Sequence, residues 1–190
     1  MKRSQNVIRP NMDKAAKVIP FAFVGGISGC FFEPETEGFV FQSAQDCARS
    51  FPDQIEECRI AYQDALADAA QSAPRYNNEY ECEADFLDGC DRYNNWYIPA
   101  MAGFFFANML DDDYFKKKKK RYYSKPLYGY RGKYYSGDGN FFSSSSNKSV
   151  KVSTSSITKP KSSGTIGQVM SRGGFGKSVS RASSSSRSGG

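Results

Sequence analysis

Residues 98–110 read IPAMAGFFFANML, with Trp96 and Tyr97 just before them. How this run folds decides the architecture. It is apolar nearly all round and is read as a helix, in which Ala102, Gly103 and Ala107 leave room for a second helix to approach closely. Thirteen residues are too few to cross a bilayer, which takes about 20. Such a helix covers the core of a neighbouring domain or docks a partner. It can also lie in a membrane interface with its aromatics at headgroup level, or self-associate through 96–110. On this reading the fold class is mostly α: a small disulfide-stapled helical domain, then the apolar helix, then a long disordered basic Ser/Gly-rich tail.

Upstream, the stretch 42–92 carries Cys47, Cys58, Cys82 and Cys90. Ser43 to Arg49 has the length of a short helix. Ser50 and Asp53 stand at capping-box spacing, with Pro52 in a first turn. Ile55, Cys58, Tyr62, Ala65, Leu66 and Ala69 then recur at three and four, which is one helical face, and Pro74 ends that helix near Ser72. Asn78 and Glu81 cap a third helix that carries Cys82 and Phe86 and stops at Gly89. In an antiparallel hairpin of the second and third helices, Cys82 lies about 16 Å along the axis from Cys58. A disulfide needs Cα atoms within about 7 Å. The favoured connectivity is therefore Cys47–Cys58 with Cys82–Cys90, and Cys47–Cys82 with Cys58–Cys90 stands second.

Downstream, the charge changes sign. Residues 30–113 hold 18 acids and four arginines, whereas 114–190 hold 17 Lys or Arg and the single acid Asp138. An acidic head and a basic tail attract different partners or each other. The switch from Asp111–Asp113 to Lys116–Arg121 is taken as a boundary, so 93–113 is the apolar helical segment and 114–142 a Tyr/Lys/Gly-rich linker. Residues 143–190 contain 18 serines, eight Lys or Arg, no acid and one aromatic, Phe175. A chain of that composition buries too little apolar surface to offset its entropy. Within it Arg172, Gly173, Gly174, Phe175 and Gly176 are the candidate partner contact, with Phe175 as the apolar group. The basic tail is suited to an anionic envelope surface.

The first 29 residues look like a signal peptide. Lys2, Arg3, Arg9, Lys14 and Lys17 precede the short apolar run VIPFAFV at 18–24, and small residues follow. Ile27-Ser28-Gly29-Cys30 resembles the bacterial lipobox, in which the cysteine sulfur is acylated and the peptide is cut just before it. Cys30 is thus the candidate lipidation site, and 30–41 a lipidated N-terminus and linker. Four cysteines in an exported chain suit two disulfides. Phe31 stands where enterobacterial lipoproteins kept in the inner membrane have Asp, which points to the outer membrane, facing the periplasm.

The chain also resembles the YgiB family of bacterial envelope proteins of unknown function. The resemblance rests on the cysteine block 46–90 with Ala73-Pro74-Arg75-Tyr76, on the Met-Ala-Gly of 101–103, on KPLYGYRGKYYSGDG at 125–139, on SRGGFGKSV at 171–179 and on the closing SRSGG. It implies a signal or lipoprotein start and no catalytic residues. The residues themselves agree. There is no histidine, hence no Ser-His-Asp or Cys-His pair and no His-ligated metal, and no CxxC. The expectation is a binding or scaffolding protein with no cofactor, no metal and no enzymatic role. The competing reading is a low-complexity RNA binder, from the Tyr, Phe, Lys and Arg interleaved over 122–142 and the half RGG box at 172–176. Export weighs against nucleic acid as a partner.

Overall fold

The computed structural model describes residues 34–108, 122–154, 157, 169–170 and 174–185. The signal segment 1–29, Cys30, the run Lys116–Arg121 and the pair Arg172–Gly173 lie outside the described residues.

The run at 98–110 is not a helix. Its start closes a hairpin, β2 (Cys90–Tyr93) with β3 (Trp96–Pro99), and Gly103–Asn108 forms strand β4. Beside β4 lie β1 (Glu35–Phe41) and β5 (Tyr122–Tyr130), followed in the chain by β6 (Lys133–Tyr135), β7 (Phe141–Ser143) and β8 (Lys148–Ser153). All six pair antiparallel in the order β7-β6-β5-β4-β1-β8. The two ends, β7 and β8, are joined by residues 144–147 and approach each other, so the sheet nearly closes on itself. Followed around the sheet, the strands form an up-and-down meander. One long insertion, residues 42–102, interrupts it between the neighbours β1 and β4.

That insertion explains the composition of β4. It carries α1 (Ala44–Ser50), a 3₁₀ turn (Pro52–Gln54), α2 (Ile55–Ser72), α3 (Glu79–Asp85) and the β2–β3 hairpin. Helices α1 and α2 cover one face of the sheet. Phe104 and Phe106 of β4 point to them, against Phe41, Ala61 and Ala65. Phe105 and Ala107 point the other way, into the interior lined by Val40, Leu127, Phe142, Val152 and Ile157. A strand covered on both faces reads as an unbroken apolar run. The fold is therefore a mixed α and β one rather than mostly α. The apolar face invoked for self-association through 96–110 is consumed by the chain's own core from Phe104 to Ala107.

The linker and the tail are corrected likewise. Strands β5, β6 and β7 occupy most of residues 122–142, the part of that span the structure describes. Within 143–190, β8 pairs along β1 from Glu35↔Ser153 to Val40↔Lys148, and α4 (Gly174–Ser185) packs on α3. The Ser-rich composition is real, but Val152, Ile157, Met170 and Phe175 are all buried. These four side chains meet a core that the rest of the chain supplies, so the described parts of the tail need no core of their own.

Local signals place the helices. The Ser43 hydroxyl caps α1 by accepting from the Asp46 N–H at 3.1 Å, and Asn78 caps α3 by accepting from Glu81 at 2.8 Å. The buried stripe of α2 is Cys58, Ala61, Ala65 and Ala69, while Ile55 is 60% and Leu66 38% exposed. Small residues let this helix lie close on the sheet. Cys47 is bonded to Cys58 and Cys82 to Cys90, with Cα–Cα distances of 5.7 and 6.2 Å. No helix among the described residues is long and apolar enough to cross a membrane.

Candidate functional site

The part of the motif Arg172–Gly176 that is described points inward. Phe175 is fully buried. It fills an aromatic well whose walls are Phe86, Tyr130 and Tyr135, with ring centroids at 4.9, 5.4 and 6.2 Å. Tyr76 closes the far side, edge-on to Phe86 at 6.1 Å. The expectation of a solvent-facing partner contact at Phe175 is thus replaced by a contact within the chain.

The floor of the well is built by the cysteine domain. Phe86 follows the last turn of α3 and donates its N–H to the Cys82 carbonyl at 2.9 Å. The Cys82–Cys90 bond ties α3 to β2, and Tyr76 exchanges two backbone hydrogen bonds of 2.9 Å with Tyr97 of β3. Tyr130 and Tyr135 come from the antiparallel pair β5–β6. Three segments far apart in sequence therefore meet at one aromatic.

One carboxylate reads the occupant's backbone. Asp85 Oδ2 accepts the Phe175 N–H and the Tyr76 hydroxyl, each at 2.7 Å. Gly174 lies directly against this carboxylate at φ +54°, where a Cβ would collide with it. A Cβ at Gly176 would come within 2.7 Å of the Tyr130 hydroxyl. The two glycines are thus required by close approach and, at Gly174, by backbone conformation. Arg131 lies over the outer face of Tyr130, 5.2 Å from its centroid.

A second polar cluster, unread in the sequence, joins α2 to β5. Asp64, Asp68 and Ser72 recur every four residues and form one flank of α2. Tyr122 donates to Asp64 Oδ2 at 3.0 Å. Burial first, then this carboxylate, pushes the Tyr122 pKa up to about 12. Burial also raises those of Tyr123 and Tyr128, with the Asp68 charge adding to both, and that of Tyr76, with Asp85 adding. The signal was the i, i+4, i+8 spacing of the polar flank, but only the fold supplies the tyrosines that face it.

These phenols carry a pH prediction. Their pKa values are raised on folding above the ordinary value of about 10, so folding favours the protonated form. That stability is complete below about pH 10 and is lost as pH rises through about 12, the Tyr122 value. Phenolate absorbance is expected to show Tyr76, Tyr122, Tyr123 and Tyr128 resisting ionisation through about pH 10. These four are expected to ionise in one cooperative step together with loss of the sheet's circular dichroism. Ionisation of these four near pH 10 in a protein that stays folded would refute this.

Charge is grouped on parts of the surface, although the exposed Glu37 of β1 stands opposite Lys151 of β8. Glu79, Glu81, Glu83, Asp88 and Asp91 are exposed on and around α3. Tyr80, 82% exposed, and Leu87, 90% exposed, belong to the same stretch. Lys148, Lys151, Lys177 and Arg181 are exposed on β8 and α4. The aromatics on which the RNA reading relied are largely internal: Tyr122, Tyr128, Tyr130, Tyr135 and Phe142 are all buried. Among the described residues no three Asp, Glu or Cys side chains are grouped as a metal site.

Known proteins add a family. A family model described as a protein of unknown function (DUF1190) matches residues 35–186. A UPF0441 protein of Serratia proteamaculans is 28% identical over 218 residues, covering 99% of this chain and 95% of the relative. UPF0441 proteins of Yersinia enterocolitica and Klebsiella pneumoniae are 28% and 26% identical, each covering 99% of this chain and 94% of the relative. These matches correct the family read from the sequence: it is DUF1190, with UPF0441 relatives, and not YgiB. No solved structure matches the chain.

Proposed function

The chain belongs to the DUF1190 family of proteins of unknown function, and from that premise we propose that it is a lipid-anchored binding or scaffolding protein of the cell envelope. The observation that carries this reading is the cysteine pattern. Four of the five cysteines are bonded in two pairs, in a body of the size at which staples add needed stability. Such bonds persist in an oxidising compartment. The fifth, Cys30, ends the lipobox-like Ile27-Ser28-Gly29-Cys30.

In this reading the thiol of Cys30 becomes a thioether to a diacylglyceryl group and its amine is acylated after cleavage. Two or three acyl chains hold a protein stably where one does not. Phe31 after the cysteine favours the outer membrane, with the folded body in the periplasm. The exposed Lys148, Lys151, Lys177 and Arg181 suit anionic headgroups, each worth about 1 kcal/mol close to such a surface. The acidic stretch around α3, with Tyr80 and Leu87 exposed, suits a partner bearing basic and apolar groups.

The test is the intact mass of protein extracted from membranes. The expected mass lacks residues 1–29, carries two or three acyl groups and is lower by four hydrogens for the two bridges. Cys30→Ser is expected to abolish acylation and to leave precursor or soluble protein. If that variant partitions into membranes as the wild type does, the anchor lies elsewhere and the reading fails.

A further inference from the structure

Helix α4 is anchored by one large side chain and otherwise lies against Gly139 through the backbone of Ser178 and Val179. Its inward face is Phe175, Ser178, Val179 and Ala182, and of these only Phe175 is both large and fully buried. Its sequence, GFGKSVSRASSS, is rich in glycine and serine, which favour helix poorly. A 12-residue helix of this kind is marginal on its own. The well therefore makes the helix, and α4 belongs to the low-stability end of the molecule.

The well left behind when α4 departs is a specific receptor. It has aromatic walls, a carboxylate aimed at one backbone N–H, and room for no Cβ on either side of the anchor. We propose that it is a recognition site for a Gly-Phe-Gly segment, filled in cis by the chain's own α4 and, in trans, by the same segment of a second copy. The occupant must offer a residue at positive φ against Asp85, an aromatic anchor, and a glycine under the Tyr130 hydroxyl. Its exposed Lys177 and Arg181 carry charge opposite to that of Glu79, Glu81 and Glu83 on α3, the helix on which α4 packs. The chain's own segment meets every requirement. Exchange between two copies keeps each of these contacts, so it costs only the entropy of association, and reciprocal exchange closes a two-fold dimer. The proposal does not depend on the lipid anchor.

The probe is a labelled peptide of residues 169–185, titrated by fluorescence anisotropy into full-length chain. Two variants open the well. Phe175→Ala removes the anchor in cis, and Gly176→Ala keeps it but sets a methyl against the Tyr130 hydroxyl. The peptide is expected to bind both variants saturably and to leave the wild type, whose well is filled, far weaker in uptake. A peptide carrying Phe175→Ala is expected to bind about tenfold to a hundredfold more weakly. Equal binding of the two peptides overturns the proposal, as does no binding to variants that keep both disulfides and the circular dichroism of the sheet. If Phe175→Ala fails to fold, Gly176→Ala decides. For the exchange itself, wild-type chain refolded at high concentration is expected to sediment partly as dimer and Phe175→Ala as monomer. A wild type that stays monomeric, or a Phe175→Ala chain that dimerises equally, overturns the trans half.

Discussion

Phe105→Ala is expected to be the most destabilising single substitution in the chain, by about 3–5 kcal/mol, read as a fall in the urea midpoint at unchanged slope. Phe105 is fully buried in the interior of the nearly closed sheet. Its ring stands edge-on to Phe142 at 5.3 Å and to Tyr123 at 6.3 Å. It also lies over Gly38 of β1, where a Cβ would strike it. Hydrogen-bonded strands form the walls, so the space left by the ring cannot collapse. Phe141→Ala is the control. Its ring is 55% exposed and touches Tyr135 only at the edge, so a loss below about 1 kcal/mol is expected. If Phe105→Ala costs no more than Phe141→Ala, residues 103–108 do not form a central strand.

The same residue shows where the sequence stops being legible. Three consecutive phenylalanines give no period, and a run without period fits a buried strand as well as a buried helix. What settles it is a second cover: Phe104 and Phe106 need α2 on one side, and Phe105 needs Val152 and Ile157 on the other. Ile157 lies 52 positions along the chain, beyond the reach of any local pattern. The first three helices were legible because their signals are local, whereas α4, which has no such signal, was not. Ser43 and Asn78 cap as their types require, Pro74 stops α2, and the short loops from Cys47 to Cys58 and from Cys82 to Cys90 fit direct bridging. The well was half legible. The glycines around Phe175 announce a close backbone approach, but not whether the surface approached belongs to the chain or to a partner. Averaging the composition of 143–190 hid the fact that Val152, Ile157, Met170 and Phe175 are placed to meet a core elsewhere.

Loss of the Cys47–Cys58 bridge is expected to be the second largest effect, about 3 kcal/mol from the loop of some dozen residues that it closes. Both sulfurs belong to fully buried residues against Phe41, Phe104 and Phe106. The replacement therefore matters. A Cys47→Ala, Cys58→Ala chain loses the cross-link alone, whereas Cys47→Ser, Cys58→Ser also leaves two hydroxyls in an apolar site, each costing about 1–3 kcal/mol more if unpaired. The serine pair is expected to be the less stable by that margin in urea, and a serine pair equal to the alanine pair would mean that water reaches the α1–α2 contact. The other bridge differs in access, since Cys82 is buried and Cys90 only half-buried. Thiolate attack needs an approach to sulfur. Graded dithiothreitol followed by alkylation is thus expected to label Cys90 and Cys82 first, and Cys47 and Cys58 only as the sheet unfolds. Reduction of Cys82–Cys90 unpins α3 from β2 and with it Asp85 and Phe86, so the first thiols to appear should coincide with release of α4 from its well. Labelling of Cys47 before Cys90 would reverse the order of stability assigned to the two halves of the insertion.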